Sequence, residues 1–383
     1  MEKKSFMKYG FWCVLICLSI GLASCSKAEV NPLGVQADVE AEEDRDKDMD
    51  TFAEEDKGME AFADEDSIRQ CMEAAYADEE LQDGLAYCMF LMGDTLYYWT
   101  GVTRGRMLGN VHIWQKTGEE SAVVEIAAWR DKVLLSCLAD REQCLYYLYL
   151  KGEEEEFSMF LQKDAPDGSV IYDVPVPAEV QEQILEDFYQ EGYIYQTGTV
   201  SLDGTLVLGS YIGTFYLFDE KGNFLCSGRD CWNREKRFSL DEGILNAGDG
   251  GVFTYEVKDG QLLLAEIDLK NGELGAVIRV TLNTAVTLPV PGGEIYVEKN
   301  RSAPGSAETL SVFSGYERGI LVSDNRSLWQ YDPAEEKACK LFDWNDSDPG
   351  MENCVIDSIG VLEDGRFYVR AYREGRSVDK YIP

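Results

Sequence analysis

His112 is the only histidine in 383 residues, which excludes a metal site built on several imidazoles. No Gly-x-Ser-x-Gly stretch is present to place a nucleophilic serine. The setting of His112, NVHIWQ, alternates like a strand and reads as a structural or exposed strand position rather than that of a general base. Chemistry would then fall to carboxylates. Asp346 and Asp348, in DWNDSDPGMEN, have the residue types for carboxylate catalysis or calcium ligation. They lie in a segment stopped by Pro349-Gly350 and read as a solvated loop. Asp44, Asp46, Asp48, Asp50 and Glu55 fall at positions 1, 3, 5, 7 and 12 of a calcium-binding loop. Position 6 is Met49, where such a loop needs glycine for its sharp turn, and no helix pattern precedes it. Loose association of divalent ions is the reading there, and no catalytic residue, metal site or cofactor is assigned.

Eleven cysteines remain to be placed. Cys13 and Cys17 lie in the apolar run FWCVLICLSIGLA, residues 11 to 23, which follows Lys3, Lys4 and Lys8 and ends at Cys25. The run has 13 residues, whereas a helix needs about 20 to cross a bilayer core. A positive start, a short apolar stretch and small residues at its end describe a secretory signal peptide over residues 1–24. The residues LASC, Leu22 to Cys25, resemble the bacterial lipobox. That resemblance implies diacylglyceryl lipid on Cys25, cleavage just before it, and a lipid-anchored protein on the extracytoplasmic face of a bacterial cell membrane. Eight cysteines are left: Cys71, Cys88, Cys137, Cys144, Cys226, Cys231, Cys339 and Cys354. Cys226 with Cys231, and Cys137 with Cys144, are close enough in sequence to bridge a hairpin. The absence of any Cys-x-x-Cys pair argues against zinc, and the scatter fits buried small apolar residues equally well.

The formal net charge is −36. Nucleic acid is excluded as a partner, because binding phosphate requires clustered Lys and Arg. Residues 38 to 66 carry 15 acids against three bases and have few large apolar side chains. Such a stretch cannot bury a core, so residues 25–66 read as a disordered tether that self-repulsion holds extended. Within it MDTFAEED is echoed ten residues later by MEAFADED, as a lengthening repeat would be.

The tether is followed by Ile68, Cys71, Met72 and Ala75 at helical spacing, which gives one short helix over residues 67–84. From Leu85 the texture turns to short runs rich in Val, Ile, Leu, Tyr and Phe, broken by Asp-Gly and Asn-Gly pairs, a strand and hairpin signal. Only AEVQEQILEDFYQ, residues 178 to 190, predicts a second helix. Residues 198 to 229, GTVSLDGTLVLGSYIGTFYLFDEKGNFLCSGR, predict four strands with turns at Asp203-Gly204, Gly213 and Lys221-Gly222. This stretch resembles the repeat of the quinoprotein-like β-propellers, the PQQ-type repeat. Asp249-Gly250 lies 46 residues after Asp203-Gly204, and Asp364-Gly365 lies 46 after Arg318-Gly319. A period near 46 with four strands fits one propeller blade.

The expected fold is therefore all-β, a propeller of six or seven four-stranded blades over residues 85–383. Its units begin near residues 87, 132, 198, 246, 317 and 359, with insertions near 164–192 and 281–310. An irregular all-β sandwich, or two small β domains, is the competing architecture. The resemblance extends to fold alone, since the metal-binding and ring-stacking residues of the quinone enzymes cannot be placed here, and it implies a scaffold or sensor. The last unit looks one strand short, so a segment within residues 84–93 is expected to supply its outer strand. The functional expectation is a binding or scaffold module for a protein, a glycan or a solute-uptake complex. The alternative is a propeller hydrolase acting on sugars or peptides. A ring of carboxylates at one mouth of the central channel would favour the hydrolase, and aromatics with mixed polar groups would favour binding.

Overall fold

The computed structural model describes residues 70–71, 74–76, 85–104, 107–118, 121–152, 157–191, 197–210, 212–232, 242–258, 260–280, 282, 285–290, 293–298, 310–316, 319–324, 327–344, 354–373 and 376–383. Strands β1 (Leu85–Met92), β2 (Thr95–Arg104), β3 (Met107–Thr117) and β4 (Val124–Trp129) form a first antiparallel blade, and β5 (Lys132–Ala139), β6 (Leu145–Lys151), β7 (Ser158–Asp164) and β8 (Val170–Pro175) a second. The two are joined at Leu108 and Leu134, where β3 touches β5. Helix α1 (Ala178–Glu191) leads to the third blade, β9 (Thr197–Val200), β10 (Leu206–Gly209), β11 (Thr214–Phe218) and β12 (Phe224–Arg229). The fourth is β13 (Glu242–Asn246), β14 (Val252–Lys258), β15 (Gln261–Glu266) and β16 (Ile278–Val280). A separate hairpin, β17 (Ala285–Val290) with β18 (Gly293–Glu298), precedes the fifth, β19 (Ser311–Ser314), β20 (Ile320–Ser323), β21 (Ser327–Asp332) and β22 (Lys337–Asp343). The sixth has three strands among the described residues, β23 (Val355–Val361), β24 (Phe367–Arg373) and β25 (Arg376–Ile382).

Burial explains why these sequences take these places. Strands in the middle of a blade are pressed between two neighbouring blades and read as continuous apolar runs. LVLG of β10 and ILVS of β20 are buried at every position, as are the first six residues of LYYLYLK in β6. The outermost strands β8 and β12 alternate instead between exposed and half-buried positions, because only one face packs. Tight turns are set by aspartates that accept bonds from the backbone two to four residues on. Asp219 Oδ1 accepts from the amides of Lys221 at 2.9 Å and Asn223 at 2.8 Å. Gly222 in that turn has φ of 80°, in the left-handed region that glycine enters without strain.

Six apolar clusters occupy six seams, and the ring closes. Leu134 and Tyr147 meet Val111 and Ile113 between blades one and two. Leu148 meets Leu206 and Tyr216 between two and three, under Val180 and Ile184 of α1. Phe215 meets Val252 between three and four, Leu264 meets Val322 between four and five, and Leu328 meets Val369 between five and six. The last cluster joins Leu96, Tyr98 and Trp114 of blade one to Tyr368 of blade six. The chain is thus a six-bladed β-propeller.

Three expectations are corrected. Residues 85–92 are the innermost strand of blade one, paired with β2 from Leu85↔Val102 to Met92↔Thr95, and lend no strand to blade six. Closure there comes from packing of large side chains. The stretch near 164–192 is only partly an insertion, since β8 completes blade two before α1 begins. The hairpin disulfides also fail, for none of Cys137, Cys144, Cys226 and Cys231 is disulfide-bonded. Cys137 lies opposite Tyr147, three positions from Cys144. Cys226 and Cys231 lie on one continuing strand direction, with Cys226 opposite Leu217 and Cys231 two residues past the end of β12. At about 3.3 Å per residue along a strand, both pairs exceed the ~7 Å that a disulfide can span between Cα atoms.

Candidate functional site

The innermost strands of the blades line a central channel, and their ends meet at one mouth. Asn246, at the end of β13 and 1 % exposed, donates through Nδ2 to the Val200 carbonyl at the end of β9 at 2.5 Å. Its amide donates to Ser314 Oγ at the end of β19 at 2.9 Å. Gly360 of β23 lies so close to the Gly93 carbonyl that a Cβ there would collide with it. Tyr316, just past β19, continues this closure. Its ring lies 5.7 Å from the Arg141 guanidinium of blade two, and the Thr199 hydroxyl of blade three is beside its phenol. In a ring of six, blade five stands across from blade two, so this side chain crosses the channel axis. Burial pushes its phenol up to about 12, against the opposing pull of Thr199 and Arg141. This mouth is plugged.

The interface between blades one and two carries a polar and aromatic seam, built by β5 and β6 with the outer strands β4, β7 and β8. Trp129 ends β4, and after the Arg130-Asp131 turn Lys132 opens β5. The Lys132 stem runs over the blade so that Nζ lies 4.1 Å from the Tyr149 ring centroid and 4.6 Å from that of Trp129. Such placement over ring faces is a cation–π contact. Nζ also donates to Gln162 Oε1 at 2.8 Å, while Gln162 Nε2 donates to Asp164 Oδ1 at 2.7 Å. The Tyr149 hydroxyl donates to Asp173 at 2.8 Å. Trp129 stands edge-on to Tyr147 at 4.6 Å, and Phe160 stacks on Tyr149 at 5.5 Å. Burial holds the Lys132 ammonium below its ordinary range despite the pull of Asp173, Asp131 and Asp164. Burial likewise raises Asp164, with Gln162 and Lys132 opposing. Tyr149, Gln162 and Asp164 are buried, Trp129, Lys132 and Phe160 are half-buried and Asp173 is exposed, so the seam meets solvent along its outer edge.

The residues singled out from sequence fall elsewhere. His112, on β3, is hydrogen-bonded through Nδ1 to Glu125 Oε2 at 2.9 Å and packs edge-on to Tyr76 at 4.9 Å. It belongs to the seam between blades one and six, away from Lys132. Asp346, Asp348, Cys25, Cys88's side chain and the acidic positions Asp44 to Glu55 lie outside the described residues. Among the described residues no group of three or more His, Cys, Asp or Glu side chains is placed to hold a metal ion. A second charged group sits in blade six, where the guanidinium of Arg370, 1 % exposed, is 3.1 Å from Asp379. Asp357 beside it is raised by burial and lowered by Arg370. Sequence reasoning missed the Lys132 seam, although Trp129-x-x-Lys132 and the alternating LYYLYLK are its visible traces.

The chain matches no protein-family model and no curated protein sequence. Among solved structures it is similar to a protein of unknown function from Bacteroides caccae, with 12 % identity, 72 % of this chain and 93 % of that chain covered, and a TM-score of 0.39. It is also similar to BamB from Moraxella catarrhalis, with 12 % identity, 76 % and 75 % covered, and a TM-score of 0.31. An oligogalacturonate lyase in complex with manganese gives 12 % identity, 77 % and 75 % covered, and a TM-score of 0.36. The propeller assignment rests on the six sheets and six seams.

Proposed function

We propose that this chain is a binding module held on the extracytoplasmic face of a bacterial membrane by lipid on Cys25, with residues 25–66 as its tether. The solvent-facing edge of the seam between blades one and two receives the partner, which is a surface protein, a glycan or a component of solute uptake, and the chain does no chemistry on it. The observation that carries this reading is the make-up of that seam. Trp129, Lys132, Tyr149, Gln162 and Asp173 are aromatic and mixed polar, and Asp164 and Asp173 are each engaged by a neutral donor. Ligand sites of this type combine apolar surface with a few fixed polar groups.

Two measurements test the reading. Changing Cys25 to Ala is expected to move the protein from the membrane fraction to the soluble extracytoplasmic fraction, and retention after a salt wash overturns the anchor. The purified mature chain is then screened against soluble glycans, peptides and small solutes by thermal shift. A ligand should raise the melting temperature in a manner that Trp129→Ala abolishes. Release of cleavage products from the sugars or peptides of the panel would identify a hydrolase instead.

A further inference from the structure

Among the described residues the large apolar side chains left exposed are Val124, Val170, Ile171, Leu202, Leu225 and Val277, from 43 % at Leu225 to 57 % at Val170. Exposed apolar residues scattered singly need no explanation. These are not scattered. In an antiparallel blade the outermost strand begins at the end where the innermost strand finishes. Val124 and Val170 open β4 and β8, Ile171 and Leu225 are the second residues of β8 and β12, and Val277 immediately precedes β16. Leu202 lies in the turn from β9 to β10. All of them therefore stand at one end of the propeller, that of the plugged mouth, on blades one to four.

Over blades two to four close approaches of the chain join them into a belt. The Gly222 turn of blade three passes so near β8 that a Cβ on Gly222 would lie 2.8 Å from the side chains of Tyr172 and Val174. A Cβ on Gly204 would lie 3.2 Å from that of Glu220, which sets the turn carrying Leu202 against the turn leading to Leu225. Cys226 rests likewise on blade four, with its Sγ 3.3 Å from the Cβ position of Gly272, in the turn leading to Val277. Tyr172 and Cys226, which face the next blade, follow Ile171 and Leu225 directly, and alternation along a strand turns the latter outward. The turns beside the belt carry the exposed acids Asp167, Asp203, Glu220 and Asp268. Hydrogen bonds from Ser169 and Ser201 hold Asp167 and Asp203 below the ordinary carboxylate range, so both stay charged.

We propose that this belt is a docking surface for a protein that presents apolar side chains among Lys or Arg. It lies apart from the seam of blades one and two, and its failure leaves the reading of that seam in place. Charge selects the occupant. Anionic lipid, or a second copy of a chain with net charge −36, would set acid against acid. A basic partner is drawn in by the turns and covers the apolar side chains between them.

The test uses the full mature chain and a short peptide of Leu and Lys at helical spacing, with Ser–Lys and Leu–Glu peptides of equal length as comparisons. Binding is titrated by calorimetry and located by amide exchange. The Leu–Lys peptide is expected to bind at least ~10-fold more tightly than either comparison, and to slow exchange at residues 170–172, 201–204 and 224–227. The double variant Ile171→Thr, Leu225→Thr keeps β-branched side chains at exposed strand positions, and it should lose that preference for Leu–Lys over Ser–Lys. The comparison of peptides on the original chain needs no variant, so it stands even if the double variant folds poorly. Equal binding of the Ser–Lys peptide overturns the proposal, as does slowed exchange confined to other residues or unchanged preference in a folded double variant. Binding of phosphatidylcholine vesicles that the double variant abolishes would give the belt to a membrane, and self-association that it abolishes would give it to a second copy; either result overturns the basic partner.

Discussion

Asp187 shows how a single side chain couples this fold to pH. It lies on α1 and accepts from the Tyr216 hydroxyl of blade three at 2.8 Å. Burial raises its pKa above the ordinary 3.8, and the hydroxyls of Tyr216 and Thr214 pull less strongly the other way. Between 3.8 and the raised value the folded chain holds a proton that the unfolded chain has lost, so stability falls as pH rises through that window. Above it the ionised carboxylate is a standing cost, and below the ordinary value the two states are protonated alike. A side-chain amide at this position would keep an acceptor for Tyr216 without the charge. Asp187→Asn is therefore expected to be more stable than the original chain at pH ~7, with the difference vanishing near pH ~3.5, as read from urea midpoints across pH. A variant less stable at neutral pH than the original would show that the ionised form is the preferred one. At this scale the sequence told least. Lys132, Gln162 and Trp129 come from three strands of two blades, and Tyr316 reaches its partners across the channel, so neither group leaves a local pattern.

Elements were far more readable. The four strands expected in residues 198–229 correspond to Thr197–Val200, Leu206–Gly209, Thr214–Phe218 and Phe224–Arg229, because alternation and Asp-Gly turns are local signals. The helix expected at 178–190 is Ala178–Glu191. Its position in the fold was not readable, since a helix does not announce the groove it fills. α1 packs Val180 and Ile184 into the seam of blades two and three. It is also pinned to β7 by one residue. Gln181 Oε1 accepts from the Met159 amide at 2.9 Å, and Gln181 Nε2 donates to the Phe157 carbonyl at 2.7 Å. Gln181→Ala orphans both backbone groups, at a cost of roughly 1–3 kcal/mol for each that stays buried. The expected signature is a lower urea midpoint together with faster amide exchange at Met159. Unchanged exchange at Met159 would mean that the helix rests on its apolar face alone.

At the scale of the whole molecule the question is what holds the first blade to the last. The sequence suggested strand exchange because the final unit looked one strand short, but the hydrogen-bond ladder there is confined to each blade. What joins them is the cluster of Leu96, Tyr98, Trp114 and Tyr368, with Cys71 and Ala75 from the helical residues before blade one packed against it. Tyr76 fastens those residues to blade one. It is 3 % exposed, donates to the Asn110 carbonyl at 2.9 Å and shares a 3.0 Å hydrogen bond with Thr100 Oγ1. The other five seams are also spanned by the chain running from one blade into the next, whereas this one resists opening only through apolar burial and such fastenings, so it should open first. Tyr76→Ala removes a buried aromatic ring and two bonds, and losses of about 3–5 kcal/mol are typical of such truncations. Tyr381→Phe keeps the ring and loses the 3.3 Å bond to Asp94, and it serves as the mild comparison. The expected result is a lower melting temperature for Tyr76→Ala, with amide exchange rising first in β1, β2 and β23 to β25, and little change for Tyr381→Phe. Equal acceleration in β13 to β16 would mean that the ring loosens as a whole and that the join between blades one and six is no weaker than the others.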